Sequence, residues 1–243
     1  LPLKTPVAKY RYYYPQHFNT IELNATHYNI YSPEVIQQWA DGARGKDFTF
    51  CPKFPQQISH QSNLKNVEII TDAFIASISV LGTQLGPSFL QLSERFAPQH
   101  QYDLFNYLST LPKEYSVFLE LRHPSWFLSK QKEELFETLR QLHIGSVITD
   151  APGRRDVAHM HLSVPTLFLR FVCNGLHSSS FTRIDEWIKR ISYWLENGLE
   201  ELYVMLHPGN DAAIPELCSY WVAQLNESCG LVLKPPEQQA LLF

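Results

Sequence analysis

Apolar residues along the chain fall into short blocks of two kinds, and the kinds alternate. Thr20–Asn24, Phe48–Lys53, Ser88–Leu92, Ser116–Leu121, Ser146–Thr149, Thr166–Phe171 and Glu201–Leu206 are short runs dense in apolar residues, and they predict strands. Between them the apolar positions recur at helical spacing. Ser32 followed by Pro33 opens a helix burying Val35, Ile36 and Trp39. Val67–Leu81 repeats Ile70, Phe74, Ile78 and Leu81, with Gly82 just beyond. Tyr102–Leu108 is a shorter helix, and Ser129 is the expected cap of Lys130–Leu142. Thr182 with Asp185 marks a capping box for a helix ending at Gly198. Pro215–Leu225 closes the series and Thr5–Tyr14 opens it. The stretch from Asp150 to Pro165 is irregular and rich in Arg and His.

Strand and helix in alternation imply right-handed β-α-β units and a parallel sheet. Seven strands with an opening helix lead us to expect an α/β fold of the TIM-type (β/α)8 barrel class, one domain over residues 1–243, whose first strand would lie upstream of Leu1. The rival, an open doubly wound sheet, would carry a Gly-rich phosphate turn, and no G-x-G-x-x-G occurs.

In a barrel the chemistry belongs at the C-terminal strand ends. Those ends carry Glu22 and Asn24, Lys53, Glu94, Glu120 with Arg122 and His123, Asp150, Arg170, and His207. The period of two places Glu22 with Asn24, and Glu120 with Arg122, on common faces. So many charges at one mouth are costly unless they pair or serve a ligand.

The expectation is therefore a cofactor-independent acid/base enzyme acting on a small anionic metabolite. Glu22 and Glu120 would exchange protons and Lys53 would act as base or stabiliser. Arg122 and Arg170 would hold the anion, and Asp150 and His207 would orient groups or shuttle protons. Asn24, Tyr28, His123, Trp126 and Asn174 complete the expected ligand contacts. Asn174-Gly175 and His207-Pro208-Gly209-Asn210 follow the last two strands, where barrels often bind phosphate.

Two alternatives stay open. A divalent metal on Glu22, Glu120, Asp150 and His207 would make an isomerase or phosphoesterase, although Lys53 and Arg122 would oppose a cation. A protein that binds a metabolite or partner through the same mouth needs no chemistry.

Composition narrows this only at the edges. With 44% hydrophobic residues and 18% charged residues, disorder is excluded. A net charge of −4 over 243 residues argues against nucleic acid, and no apolar run is long enough to span a membrane. Cys51, Cys173, Cys218 and Cys229 form no C-x-x-C pair, which with the absence of a leader pattern suits reduced thiols and a cytoplasmic protein. Oligomeric state is not legible.

Tyr14–Tyr28 (YPQHFNTIELNATHY), Phe48–Lys53, Glu120–Phe127 (ELRHPSWF), Ile148–Asp156 (ITDAPGRRD) and Asp185–Trp187 resemble, in order, the YecE-like domain-of-unknown-function family, number seventy-two. The resemblance implies a (β/α)8 barrel that begins with a Gly- and Trp-containing strand not found in this sequence. Gln91-Leu92-Ser93-Glu94 departs from the family's usual Gln-Leu-Pro-Pro. It implies no reaction.

Overall fold

The computed structural model describes residues 10–236. Seven strands are all parallel to their neighbours: β1 (Thr20–Leu23), β2 (Thr49–Pro52), β3 (Ser88–Gln91), β4 (Val117–Glu120), β5 (Gly145–Asp150), β6 (Thr166–Cys173) and β7 (Glu201–Pro208). They alternate with α1 (Tyr10–His17), α2 (Ala25–Tyr28), α3 (Pro33–Gly42), α4 (Glu68–Ile78), α5 (Gln101–Thr110), α6 (Ser129–Leu142), α7 (Ser178–Glu196) and α8 (Ile214–Cys229). The expected helix over Thr5–Tyr14 falls partly outside the described residues; α1 is its described part and runs on to His17 through Pro15.

The expected eight-stranded barrel is corrected. The strands form two sheets, a curved β3-β4-β5-β6-β7 sheet and a β1-β2 pair. A closed barrel requires every strand edge to be paired. Between β2 and β3 the pairing shrinks to the isolated bridges Phe50–Leu85 and Lys53–Phe89. β2 is four residues long and ends in Pro52, which has no N–H to give to a ladder. Among the described residues no strand pairing joins β1 to β7. A cavity of about 420 Å³ lies there instead, lined by Glu22 and Asn24 on one side and Met205 and His207 on the other.

The core is layered. Leu90, Leu119 and Leu121 pack outward against Phe74, Leu104 and Leu135 of the helices, and Leu167, Leu169 and Phe171 pack against Trp187, Ile191 and Trp221. The opposite strand face contributes one side chain per strand from β2 to β7: Cys51, Phe89, Phe118, Val147, Phe168 and Met205. This inner layer joins both sheets through side chains where hydrogen bonds do not.

Two capping expectations also change. The helix after β6 begins at Ser178 under a His177 cap, whose imidazole accepts the Ser179 N–H, so Thr182 and Asp185 lie inside it. Ser129 is the first residue of α6 rather than its cap. Gly145 opens β5 at a close approach, because a Cβ there would fall within the Phe118 ring. Gly145→Ala is therefore expected to lose about 1–3 kcal/mol from overpacking, checked by urea unfolding.

Candidate functional site

Stepping two residues along each strand from the inner apolar layer reaches a polar layer, because side chains of period two share a face. Cys51 leads to Lys53, Phe89 to Gln91, Phe118 to Glu120, Val147 to Thr149, Phe168 to Arg170 and Met205 to His207. On β1 the same step runs from Thr20, whose hydroxyl contacts Cys51 Sγ, to Glu22.

Arg170 is the hub of this layer. Its Nε donates to Glu22 Oε1 at 2.7 Å and its Nη2 to Glu22 Oε2 at 3.2 Å. Its Nη1 donates to Glu120 Oε2 at 2.9 Å. Both carboxylates are nearly sealed, with side chains 5% and 1% exposed. Gln91 Nε2 and the Thr149 hydroxyl each donate to Glu120 at 2.9 Å. Asn24 Nδ2 donates to Glu22 at 3.3 Å.

Burial by itself would raise the Glu22 carboxyl. The neighbouring His207 and Arg170 outweigh it and bring the group down to about 2. His207 Nε2 comes within 3.2 Å of Glu22 Oε2, but it lies off the direction of a well-formed hydrogen bond. We therefore assign most of the effect to the two good Arg170 bonds. Burial disfavours the Arg170 charge, yet the two carboxylates keep its guanidinium firmly protonated.

Lys53 is treated differently by its surroundings. It is buried, and its Nζ donates to the neutral Gln91 Oε1 at 2.8 Å. No carboxylate among the described residues forms an ion pair with it, since Arg170 takes both nearby ones. Burial, followed by the repulsion of Arg170, pushes its proton affinity below the ordinary lysine range. Lys53 and Arg170 flank the Phe89 ring, 5.8 and 5.3 Å from its centroid. The backbone of Lys53 is clasped by Thr26, which accepts its N–H at 3.0 Å and donates to its carbonyl at 2.7 Å.

Other expected site residues lie elsewhere. Asp150 is one residue past Thr149 and so points to the outer face. There Arg155 Nη1, Arg183 Nε and Trp187 Nε1 donate to its carboxylate at 3.0, 3.1 and 2.8 Å. Asp150→Asn is expected to cost about 2–3 kcal/mol of stability, read by thermal melting, and to spare binding at the inner face. Trp126 is fully buried and donates through Nε1 to the Phe96 carbonyl at 2.7 Å, so it belongs to the core. His123 caps the 3-10 turn Pro124–Phe127 by accepting the Ser125 N–H. Tyr28 is 67% exposed, and Asn174 is exposed at the end of β6.

Arg122 lies one step beyond Glu120, half-exposed, 3.2 Å from Glu94. Of the expected metal donors, Asp150 lies on the outer face, and Glu22 and Glu120 are both taken up by Arg170, so the four form no common site. No group of three or more His, Cys, Asp or Glu side chains among the described residues is arranged to hold a metal ion.

Gln91 and Thr149 carry no charge and are not among the expected site residues, but the two-residue step from Phe89 and Val147 reaches them. His27 and His60 also border the site, in α2 and in a π-turn over Gln57–Gln61, and no periodicity marks them.

Comparison with known proteins gives a family and a fold. The family described as "Protein of unknown function DUF72" matches residues 1–240. The UPF0759 protein YecE of Escherichia coli O157:H7 is 28% identical over 250 aligned positions, covering 94% of this chain and 91% of that protein. The YecE protein of strain K12 matches equally. A DUF72 family crystal structure from Enterococcus faecalis V583 superposes with a TM-score of 0.73 at 17% identity, covering 94% of this chain and 96% of that one. One from Thermotoga maritima MSB8 gives 0.65 at 19% identity, covering 85% of each. None of the described helices is long and apolar enough to cross a membrane.

Proposed function

We infer the function from the site itself, since the chain belongs to the DUF72 family and that family's own description is of unknown function. The reading the site supports best is an acid/base enzyme, independent of a cofactor, that acts on a small anionic molecule over the polar layer. The observation that carries it is Lys53: a buried amine with a neutral partner, set beside carboxylates already committed to Arg170. A buried ammonium without a counter-ion is costly for folding alone. An amine whose proton affinity is lowered is better suited than an ordinary lysine to take a proton from a substrate.

The other residues then divide by what they can do. Glu22 stays ionised through the neutral range, so it does not donate protons; it fixes Arg170. Glu120 receives Gln91, and that orientation turns the Gln91 carbonyl oxygen toward Lys53. His207, on the far side of Glu22 and part-exposed, is the group placed to exchange protons with solvent.

The test is proton exchange in D2O over a panel of small carboxylates and phosphate esters bearing carbonyl groups, followed by NMR. The expected result is deuterium entering at least one compound beside its carbonyl with wild-type protein, and no entry with Lys53→Met. Absence of exchange throughout the panel with wild-type protein contradicts the reading.

A further inference from the structure

The hydrogen bonds that a charged Lys53 needs and the acceptors within its reach do not match. An ammonium carries three N–H donors. Among the described residues one acceptor reaches its Nζ, the Gln91 Oε1 at 2.8 Å. Lysine only donates and a carboxylate only accepts, so the Gln91 amide must turn its oxygen to Lys53 and its nitrogen to Glu120. Glu120 is fixed in turn by the Thr149 hydroxyl and by Arg170 Nη1, both at 2.9 Å. The amide therefore has no second arrangement to offer. Two exposed lysines do have carboxylates, Lys65 on Asp103 at 3.1 Å and Lys189 on Glu186 at 2.7 Å. Lys53 is buried and has a neutral amide, yet at 8% exposure it is not sealed.

We propose that Lys53 binds the carbonyl group of a small aldehyde or ketone covalently, as a protonated imine. The inference deepens the preceding reading by naming the substrate class, and it rests on that reading for the access of substrate to Lys53. The amine lone pair attacks the carbonyl carbon, a C–N bond forms, and the π pair moves to oxygen. That oxygen takes up two protons in all and leaves as water while the nitrogen closes the C=N bond. Counted from the ammonium, two of its three protons depart in the water and one stays on nitrogen. No oxidant or reductant takes part. The product has a single N–H, which one fixed acceptor at Gln91 satisfies.

Charge and position agree with this. Glu22 and Glu120 with Arg170 leave one net negative charge in the layer. An iminium offsets it as an ammonium does, without two further buried donors that lack acceptors. Attack requires the unprotonated amine. Burial and Arg170, with a smaller push from Arg122, lower its proton affinity, and Glu120 and Glu22 oppose them without restoring it. Near pH 7 fewer than about one ordinary lysine in a thousand is unprotonated, so this lowering enlarges the reactive fraction directly. Thr26 grips the Lys53 backbone at both its N–H and its carbonyl, so the amine is presented from a fixed base.

The experiment is incubation of the intact wild-type protein with glyoxylate and cyanoborohydride at about pH 7, followed by peptide mapping by mass spectrometry. Cyanoborohydride reduces the imine, so each lysine that formed one keeps a carboxymethyl group on its nitrogen. Reading the labelled position in the wild type makes the result independent of whether any variant folds. The expected result is labelling of Lys53 at least about tenfold faster than of the exposed Lys113 and Lys130. That preference should shrink as the pH is raised to about 10, where ordinary lysines also lose their protons. Labelling of Lys53 no faster than that of Lys113 and Lys130 overturns the proposal. A Lys53 adduct with no deuterium exchange in the panel would leave the imine standing and remove the acid/base reading. Exchange that depends on Lys53, with no preferential adduct there, would remove the imine alone.

Discussion

Replacing Arg170 by methionine is expected to cost about 3–5 kcal/mol of stability, because it strands two buried carboxylates without a cation. For a chain of this size that is a fall in Tm of roughly 6–20 °C. The pH dependence separates this cause from simple loss of packing. In the wild-type protein Glu22 is held at about 2, below its unfolded range. Its stabilisation is therefore complete above about pH 4.5 and is lost as pH falls toward 2. Without Arg170, burial is the dominant influence on Glu22, and it raises a carboxyl in the folded state. At this carboxyl the folded variant then binds more protons than its unfolded chain, so the stability gap between variant and wild type should narrow as pH is lowered from 7 toward 5. Both proteins also lose stability over that range, because burial keeps His159, His27, His60 and His161 from taking up protons when folded. Melting curves at pH 5, 6 and 7 check this; parallel curves would show that Arg170 contributes packing rather than charge. Adding Glu22→Gln and Glu120→Gln to the Arg170 variant should recover part of the loss.

Lys53→Met is expected to do the reverse: to abolish proton exchange while leaving stability within about 1 kcal/mol of wild type. Losing a positioned base lowers a proton-transfer rate by about 10²–10⁴-fold. Methionine fills much of the same volume without a buried charge, so the removed desolvation offsets the lost hydrogen bond to Gln91. The amine's folded proton affinity lies below its unfolded value. The folded protein thus binds fewer protons between the two, and wild-type stability rises with pH across that alkaline window. The Lys53→Met protein lacks this rise. Stability unchanged with activity gone marks a functional amine; a large stability loss would mark a structural one.

The alternation of strands and helices was legible because buried faces impose their periods on the sequence, and all seven expected strands are present within a residue or two at most ends. What alternation does not encode is whether neighbouring edges pair. The break at Pro52 and the gap between β1 and β7 are properties of edges, so the barrel expected from the strand count was wrong. The site shows the same division. Glu22, Lys53, Glu120, Arg170 and His207 share the strand phase of the inner apolar residues and come together. Asp150 is one residue out of phase, and its partners Arg183 and Trp187 lie more than 30 positions away in α7. Trp126 looked available after a strand end, but its partner is a distant Phe96 carbonyl that no local pattern announces. His27 and His60 sit in short turns, and only the folded chain sets one ring against the other.

The central claim is that Lys53, an amine with no ion-pair partner among the described residues, is poised between a proton and an anion. Its most direct test is the ¹³C NMR titration of the Lys53 ε-carbon in the intact protein, assigned by comparison with Lys53→Met, with and without phosphate. The account predicts a midpoint below the ordinary lysine range that moves upward when phosphate is added. A midpoint at or above the ordinary range, unmoved by phosphate, would contradict it.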